Sequence, residues 1–165
     1  MTTEVTIIGS GIAAVAAATE LLGRGARVTI VRGRPGATAL TSGAWDIAGD
    51  LLRHPGQTLE EIRPASENLN EILRRRPYHP YSLMAENSAV EDLPQFLAAA
   101  VERVAQSLAI RLKGGVHSPF VCTTPLGTHR PTSYVGRGPE AGNLLALKDP
   151  RLLVVGIRGL AQFSA

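Results

Sequence analysis

Three small residues near the start of the chain have the types and the spacing of a phosphate-binding turn. Gly9, Gly11 and Ala14 form a G-x-G-x-x-A pattern. We expect Gly9 to permit a tight turn where a side chain would clash, Gly11 to let the backbone approach a pyrophosphate, and Ala14 to let a helix pack closely. Backbone N–H groups at the start of that helix would face the phosphates, beside about half a positive charge from the helix dipole. The residues predicted to present these N–H groups are Gly9, Ser10, Gly11, Ile12 and Ala13.

The elements around this turn match those of a dinucleotide-binding unit. Residues 5–8 and 28–31 are apolar runs of strand type, and an alanine-rich helical stretch between them ends at Gly23 and Gly25. The order strand, glycine turn, helix, strand is that of a Rossmann-like βαβ unit. The alternative is an ordinary glycine turn in a βαβ unit that binds nothing.

Arg32 occupies the position of the usual acidic residue. In this fingerprint an Asp or Glu about 20 residues beyond the glycines binds the ribose hydroxyls. A guanidinium accepts no hydrogen bond and cannot replace that carboxylate. Arg32 would instead pair with a phosphate, as in NADP or a mononucleotide, or be a solvated arginine at a strand end. Both interpretations stay open, and both disfavour NAD.

Composition narrows the class of protein. The 165 residues, 44% hydrophobic with a net charge of +3, suit one domain or part of one. Aromatic residues make up 4% and no basic–aromatic repeat occurs, which disfavours nucleic-acid binding. Cys122 is the only cysteine, so disulfides within the chain and thiolate zinc clusters are excluded, and we interpret it as a small buried apolar residue. We predict no metal site, no secretory export and no membrane span.

Further elements follow from capping and periodicity. Thr58 and Glu61 have capping-box spacing for a short helix that Pro64 should stop, and Ser66 should cap a second helix running to Arg76. Residues 92–108 carry an apolar helical stripe typical of core packing. Short strands are predicted at residues 110–113, 116–123, 132–135 and 151–156.

These elements predict an α/β chain with a Rossmann-like FAD/NAD(P)-binding fold, an inserted α+β segment and an incomplete C-terminus. Residues 1–50 would form the first βαβ part. Residues 51–150 would form inserted helices and short strands, a partial cap or substrate domain. Residues 151–165 would be a strand returning to the Rossmann-like sheet, truncated because such a strand should feed a helix that covers the sheet.

Five segments resemble the B subunits of anaerobic glycerol-3-phosphate dehydrogenases, a flavoprotein family related to the FAD-binding subunits of fumarate reductase and succinate dehydrogenase. They are TIIGSGIAA, TSGAWDIAG, HPYSLM, TPLGTHRPT and LLVVGIRGL, in the family's order. The SGxxD, HPYSL and TPLGTxRxT patterns are more specific than the glycine turn. Because the family protein is longer, the chain resembles its amino-terminal portion.

The resemblance implies a cofactor, partners and a location. The cofactor would be FAD or FMN, and the missing carboxylate at Arg32 departs less from this family than from the general fingerprint. The partners would be a flavin-bearing A subunit and an iron–sulfur C subunit, which pass electrons from glycerol 3-phosphate to quinone. The protein would be cytoplasmic, peripheral at the inner face of the cell membrane through those partners, without membrane insertion of its own.

The resemblance also adds residues at the cofactor. Thr41, Ser42 and Gly43 lie where related flavoproteins fold a small-residue loop against the flavin, and their hydroxyls would bond phosphate or flavin; the alternative is a polar surface loop. Asp46 would contact the cofactor or cap a helix, and capping is the favoured interpretation.

The implied chemistry is hydride transfer from the C2 carbinol of glycerol 3-phosphate to flavin N5, which needs a base and phosphate-binding cations. The histidines available as bases, each interpreted as structural rather than catalytic, are His79, His117 and His129. The possible phosphate clamps are Arg130 and Arg137. We assign no catalytic residue, and His129–Arg130 is the pair to test first.

Three hypotheses of function follow. The first is a fragment of a flavin-dependent dehydrogenase subunit, and it leads because it alone accounts for the later segments. The second is an NADP-binding module, motivated by Arg32 and Arg34. The third is a non-catalytic truncated subunit that binds no nucleotide.

Overall fold

The chain begins with the predicted βαβ unit. The structure is a computed structural model that describes residues 2–40, 43–48, 58–87, 90–123 and 129–148. Strand β1 (Glu4–Ile8), helix α1 (Ile12–Gly23) and strand β2 (Arg27–Val31) follow one another directly. β1 and β2 pair in parallel, and α1 forms the crossover and packs against both strands. The predicted order of strand, glycine turn, helix and strand is confirmed.

Three more helices and five short strands complete the described part of the chain. The helices are α2 (Ala65–Arg75), α3 (Pro80–Asn87) and α4 (Leu93–Ser107). The strands are β3 (Ala44–Trp45), β4 (Leu112–Gly114), β5 (Phe120–Thr123), β6 (His129–Thr132) and β7 (Tyr134–Gly136). Single 3-10 turns lie at Ala37–Leu40, Leu59–Glu61 and Pro139–Gly142.

The later strands form two small antiparallel sheets. β7 lies between β3 and β4, and β5 pairs with β6. The strand predicted at 110–113 is confirmed in part as β4, which begins only at Leu112 because the Ile110 N–H still donates to the Ala105 carbonyl at the end of α4. The one predicted at 116–123 is too long, because a bridge between Gly115 and Ser118 closes a turn before β5 begins. The one predicted at 132–135 is split, because Ser133 turns its hydroxyl to the backbone of Ile47 between β6 and β7.

The hydrophobic core lies where three helices meet the β3–β7–β4 sheet. Leu69 and Ile72 of α2 are fully buried, and Tyr134 of β7 is 3% exposed. The stripe predicted on residues 92–108 does pack in this region, although its Phe96 and Leu108 are each 40% exposed. The buried members of the cluster are Ile47, Ala48, Ala65, Leu69, Ile72, Leu93, Ala98, Val116 and Tyr134. Because β3 pairs with β7, the segment after the βαβ unit joins this core. The strand predicted at residues 151–156 lies outside the described residues, and the three-part domain division stays a prediction.

The helix starts differ in part from those predicted. Glu61 Oε2 accepts a hydrogen bond from the Thr58 N–H at 2.9 Å, as its spacing predicts. The prediction that Ser66 caps α2 is wrong, because α2 begins at Ala65 with Pro64 at the N-cap. The Ser66 N–H instead donates to the carbonyl of Val116 at 2.9 Å.

Asp92 caps α4, and its removal should have a measurable cost. Asp92 Oδ1 accepts a hydrogen bond from the Gln95 N–H at 3.0 Å. We expect Asp92→Ala to lower the free energy of unfolding by about 1 kcal/mol, because that amide then loses its acceptor. Urea denaturation of the chain measures this loss. Glu91→Ala, at an exposed neighbour, is the control, and an equal loss there would contradict the capping role.

Candidate functional site

The glycine turn after β1 has the backbone geometry of a nucleotide-binding turn. Gly9 has a φ of +126°, a conformation that L side chains rarely adopt, and its N–H donates to the carbonyl of Val31 at 2.9 Å. A Cβ on Gly9 would have no atom within 4 Å. The expected side-chain clash is therefore wrong, and the backbone conformation is what requires glycine. Gly11 is the N-cap of α1.

The loop after β2 folds over this turn. A Cβ on Gly36 would lie 2.7 Å from both the nitrogen and the Cα of Gly11, so only glycine fits there. Ser10 Oγ donates to the carbonyl of Arg34 at 3.1 Å, and the Ile12 N–H donates to Thr38 Oγ1 at 2.9 Å. Sequence reasoning missed Gly36 and Thr38. The available signal was the small-residue composition of this loop, from which residues 41–43 were selected instead.

The start of α1 remains partly available to an anion. The prediction that the Gly9 and Ile12 amides face the phosphates is wrong, because they donate to the Val31 carbonyl and to Thr38 Oγ1. No described residue accepts a hydrogen bond from the amide of Ala13, which lies exposed. Beside the turn, Ile8 is 88% exposed and Val31 51%, so no described residue covers the carboxyl ends of β1 and β2. Ligands of open α/β sheets bind at these ends. The turn fits a pyrophosphate at Ala13, with the Thr38 hydroxyl beside it.

The other residues predicted to bind the cofactor do not lie together in the structure. Ala14 is half-buried in α1, and Arg32 lies exposed directly after β2. Thr41 and Ser42 lie outside the described residues. Gly43, with a φ of +80°, accepts a hydrogen bond from the Gly136 N–H at 3.2 Å and is thus attached to β7.

Asp46 forms an ion pair with Arg130 of β6. The favoured interpretation of Asp46 as a helix cap is wrong within the described residues, because residues 47 and 48 form a bend and Ala48 adopts a φ of +50°. The role of Arg130 as a phosphate clamp stays a prediction, and its guanidinium is engaged by the Asp46 carboxylate. Sequence spacing gives no sign of this pair, whose members are 84 residues apart.

Buried polar side chains hold the backbone around Asp46. Ser133 Oγ accepts from the Ile47 N–H at 3.1 Å and donates to the Ile47 carbonyl at 3.0 Å. Asn68 Nδ2 donates to the Ala48 carbonyl at 2.9 Å. Ser133 and Asn68 are 2% and 6% exposed. Since buried hydrogen bonds of this kind are costly to break, Asp46 projects from a fixed segment.

Tyr81 and Cys122 complete the cluster around the ion pair. Burial, together with the negative charge of Asp46, raises the pKa of the Tyr81 hydroxyl. Burial and the same charge raise the pKa of the Cys122 thiol, against the opposing effect of Arg130. Cys122 lies opposite Arg130 in the β5–β6 pair. Both groups therefore stay protonated and neutral at neutral pH. We call these four residues, Asp46, Tyr81, Cys122 and Arg130, the Asp46–Arg130 cluster.

Two of the candidate histidines have local structural partners. His79 Nδ1 accepts from the Tyr81 N–H at 3.2 Å at the start of α3, and the two rings lie 5.1 Å apart. His117 Nδ1 lies 3.0 Å from Ser66 Oγ. His129 is half-buried on β6 beside Arg130, and Arg137 is exposed in the turn after β7. These contacts give His79 and His117 local partners, and their structural rather than catalytic role stays a prediction.

Comparisons with known proteins agree with the βαβ unit. The chain is similar to the B subunit of anaerobic glycerol-3-phosphate dehydrogenase from Actinobacillus pleuropneumoniae serotype 5b (strain L20), with 32% identity over 99% of this chain and 36% of the relative. The corresponding protein of Pectobacterium carotovorum subsp. carotovorum (strain PC1) is 33% identical over 98% of this chain and 36% of its own length. That of Pasteurella multocida (strain Pm70) is 27% identical over 99% and 36%. The chain thus spans about a third of the length of these curated relatives.

The family comparison identifies the domain. No solved structure matches the chain. A family model described as an FAD binding domain matches residues 4–164, which confirms the predicted Rossmann-like α/β class and supports FAD as the cofactor. The resemblance inferred from the five segments is confirmed by these dehydrogenase relatives. The chain belongs to the FAD-binding domain family.

Proposed function

We propose that this chain is the flavin-binding part of a glycerol-3-phosphate dehydrogenase subunit, in which electrons from glycerol 3-phosphate oxidation pass towards quinone. The observation that carries the proposal is the partly open glycine turn between β1 and α1, with the Ala13 amide free of described acceptors. Its place in an FAD-binding domain, similar to the B subunits of anaerobic glycerol-3-phosphate dehydrogenases, supports the choice of reaction.

The chain's own residues would bind and orient the cofactor. The Ala13 amide and the α1 dipole would hold the pyrophosphate, with the Thr38 hydroxyl against the neighbouring Ile12 amide. Exposed Arg32 would contribute a positive charge beside the phosphates. Gly36 would keep the loop after β2 close enough to define one wall of the site. Bound flavin supplies the hydride acceptor that side chains lack.

The partners and location follow from the same proposal. A flavin-bearing A subunit and an iron–sulfur C subunit would complete the dehydrogenase and attach it to the inner face of the cell membrane. Within the described ranges, no helix combines the length and apolar character needed to cross a bilayer. Attachment would accordingly depend on the partners.

Anaerobic titration of the purified native complex, with the flavin content of each separated subunit measured, tests the proposal. We expect flavin bound to this subunit as well as to the A subunit, and we expect glycerol 3-phosphate to bleach the visible absorbance of both. Glycerol and inorganic phosphate, each carrying half of the substrate, are matched controls that should leave that absorbance unchanged. If this subunit carries no flavin and binds NADP much more tightly than NAD, the NADP-binding module would replace the proposal. If it carries no flavin and binds neither nucleotide, the non-catalytic subunit would be favoured.

A further inference from the structure

We propose that the Asp46–Arg130 cluster is a small-molecule site in which Arg130 binds an anionic group and Asp46 a hydroxyl group of the same ligand. Asp46, which follows β3, pairs with Arg130 on β6, and Tyr81 in the first turn of α3 is close enough for the Asp46 charge to raise the pKa of its hydroxyl. None of these residues belongs to the glycine turn that is proposed to bind the cofactor.

The ion pair leaves hydrogen-bonding capacity on both partners. It joins Arg130 Nη2 to Asp46 Oδ2, so the guanidinium, with five N–H donors, retains donors for a ligand. Asp46 Oδ1 remains an acceptor on the other side of the carboxylate. The side chain of Arg130 is 48% exposed and that of Asp46 24%, so a solute can reach both. An arginine positioned by a carboxylate in this way suits a phosphate or a carboxylate.

The neighbours define the polarity of the site. Tyr81 and Cys122 are half-buried and neutral, so the cluster carries one positive and one negative charge. Cross-strand partners in an antiparallel pair project from the same face, which places Cys122 beside Arg130. A site with no net charge attracts an anion weakly over long range. The site must therefore select its ligand by directional hydrogen bonds. A ligand with both an anionic group and a hydroxyl can make them.

The rigidity of the surrounding backbone distinguishes this pair from a mobile surface ion pair. Ser133 and Asn68 hold the residues directly after Asp46 through buried hydrogen bonds. The backbone that carries the carboxylate is thus fixed before a ligand arrives. The ligand class is a small hydroxylated anion such as a phosphate monoester of a polyol. This deepens the proposed function and rests on it only for the identity of the ligand.

Calorimetric titrations of the full-length protein with three probes test the site. The probes are inorganic phosphate, which offers only the anion, glycerol, which offers only hydroxyls, and glycerol 3-phosphate, which offers both. We expect Arg130→Gln to lower the affinities for phosphate and for glycerol 3-phosphate alike, each by at least tenfold. Arg130→Lys should lower both affinities less. We expect Asp46→Ala to change phosphate affinity by less than threefold but to remove the preference for glycerol 3-phosphate over phosphate.

The controls separate this site from general effects. Arg27→Gln removes an arginine that pairs with Glu4 at 3.2 Å on the exposed βαβ sheet, and it should leave all three titrations unchanged. Near-ultraviolet circular dichroism checks the fold of each variant, and Asp46→Leu, which also lacks a hydrogen-bond acceptor, replaces Asp46→Ala if the latter unfolds. Wild-type phosphate affinity in Arg130→Gln overturns the inference. Equal weakening of phosphate and glycerol 3-phosphate in the Asp46 variant does so too, because Asp46 would then only orient Arg130.

Different results would reject the proposed function and the proposed ligand site. Glycerol 3-phosphate that binds through Arg130 without bleaching the flavin rejects the proposed function and keeps the site. Flavin bleaching with the same KM in wild type and Arg130→Gln keeps the function and rejects the site.

Discussion

Replacing Gly36 by alanine is expected to lower the affinity for FAD at least tenfold. The added Cβ would lie 2.7 Å from the nitrogen and the Cα of Gly11 and 2.9 Å from the carbonyl carbon of Ser10. All three are backbone atoms, so no side-chain rotation relieves the contact and the turn itself must shift. A tenfold loss corresponds to about 1.4 kcal/mol, a small cost for displacing a binding turn. Titration of FAD into the apoprotein, followed by quenching of flavin fluorescence, measures the change.

Gly33→Ala is the matched control for this substitution. Gly33 lies in the same loop, and a Cβ there would have no atom within 4 Å. Its FAD affinity should equal that of the wild type. If Gly36→Ala bound FAD as tightly as Gly33→Ala, then the contact between the loop and the glycine turn would not shape the cofactor site. The same result would count against the assignment of the turn to the pyrophosphate.

The sequence predicts those elements whose residue patterns are local. The glycine turn, α1 and the two apolar runs lie within 28 consecutive residues, and their pattern predicted the βαβ unit correctly. Helix α4 was found for the same reason, through its apolar stripe. Contacts across the chain were not predictable in this way. Gly36 meets Gly11 and Asp46 meets Arg130 only after the chain has folded.

One local signal was overlooked, because helix α3 was not predicted from the sequence. Proline is well suited to the first position of a helix, where its missing N–H costs nothing. Pro80 is the first residue of α3, and the ring of His79 accepts the hydrogen bond of the next amide. The histidine thus has a capping role that its residue type alone did not indicate.

The location of the Asp46–Arg130 cluster could not be predicted either, because it depends on contacts between distant parts of the chain. The SGxxD, HPYSL and TPLGTxRxT patterns drew attention to three segments, but nothing in their spacing predicted that Asp46, Tyr81 and Arg130 would converge. Their convergence depends on the β3–β7 pairing and on Ser133, which attaches residue 47 to the turn between β6 and β7. Resemblance identified the segments, and tertiary structure brings their residues together.

Replacing Gly114 by alanine is expected to lower the free energy of unfolding by about 3 kcal/mol or more. Gly114 has a φ of +105°, and a Cβ there would lie 2.3 Å from the Ser133 carbonyl and 2.9 Å from the Phe120 ring. Backbone strain costs about 1–3 kcal/mol, and overpacking adds about 1–3 kcal/mol. Urea denaturation followed by the fluorescence of Trp45, the only tryptophan of the chain, measures the loss.

Gly115→Ala is an adjacent control, because a Cβ on Gly115 would have no atom within 4 Å. A stability loss in Gly115→Ala as large as that in Gly114→Ala would contradict the steric explanation. The Gly114 variant should also disturb ligand binding at a distance. Relief of the contact moves Ser133, whose hydroxyl holds both the N–H and the carbonyl of Ile47. Because Ile47 follows Asp46 directly, displacement of Ser133 loosens the Asp46 carboxylate, so a smaller preference for glycerol 3-phosphate over phosphate should accompany the loss of stability.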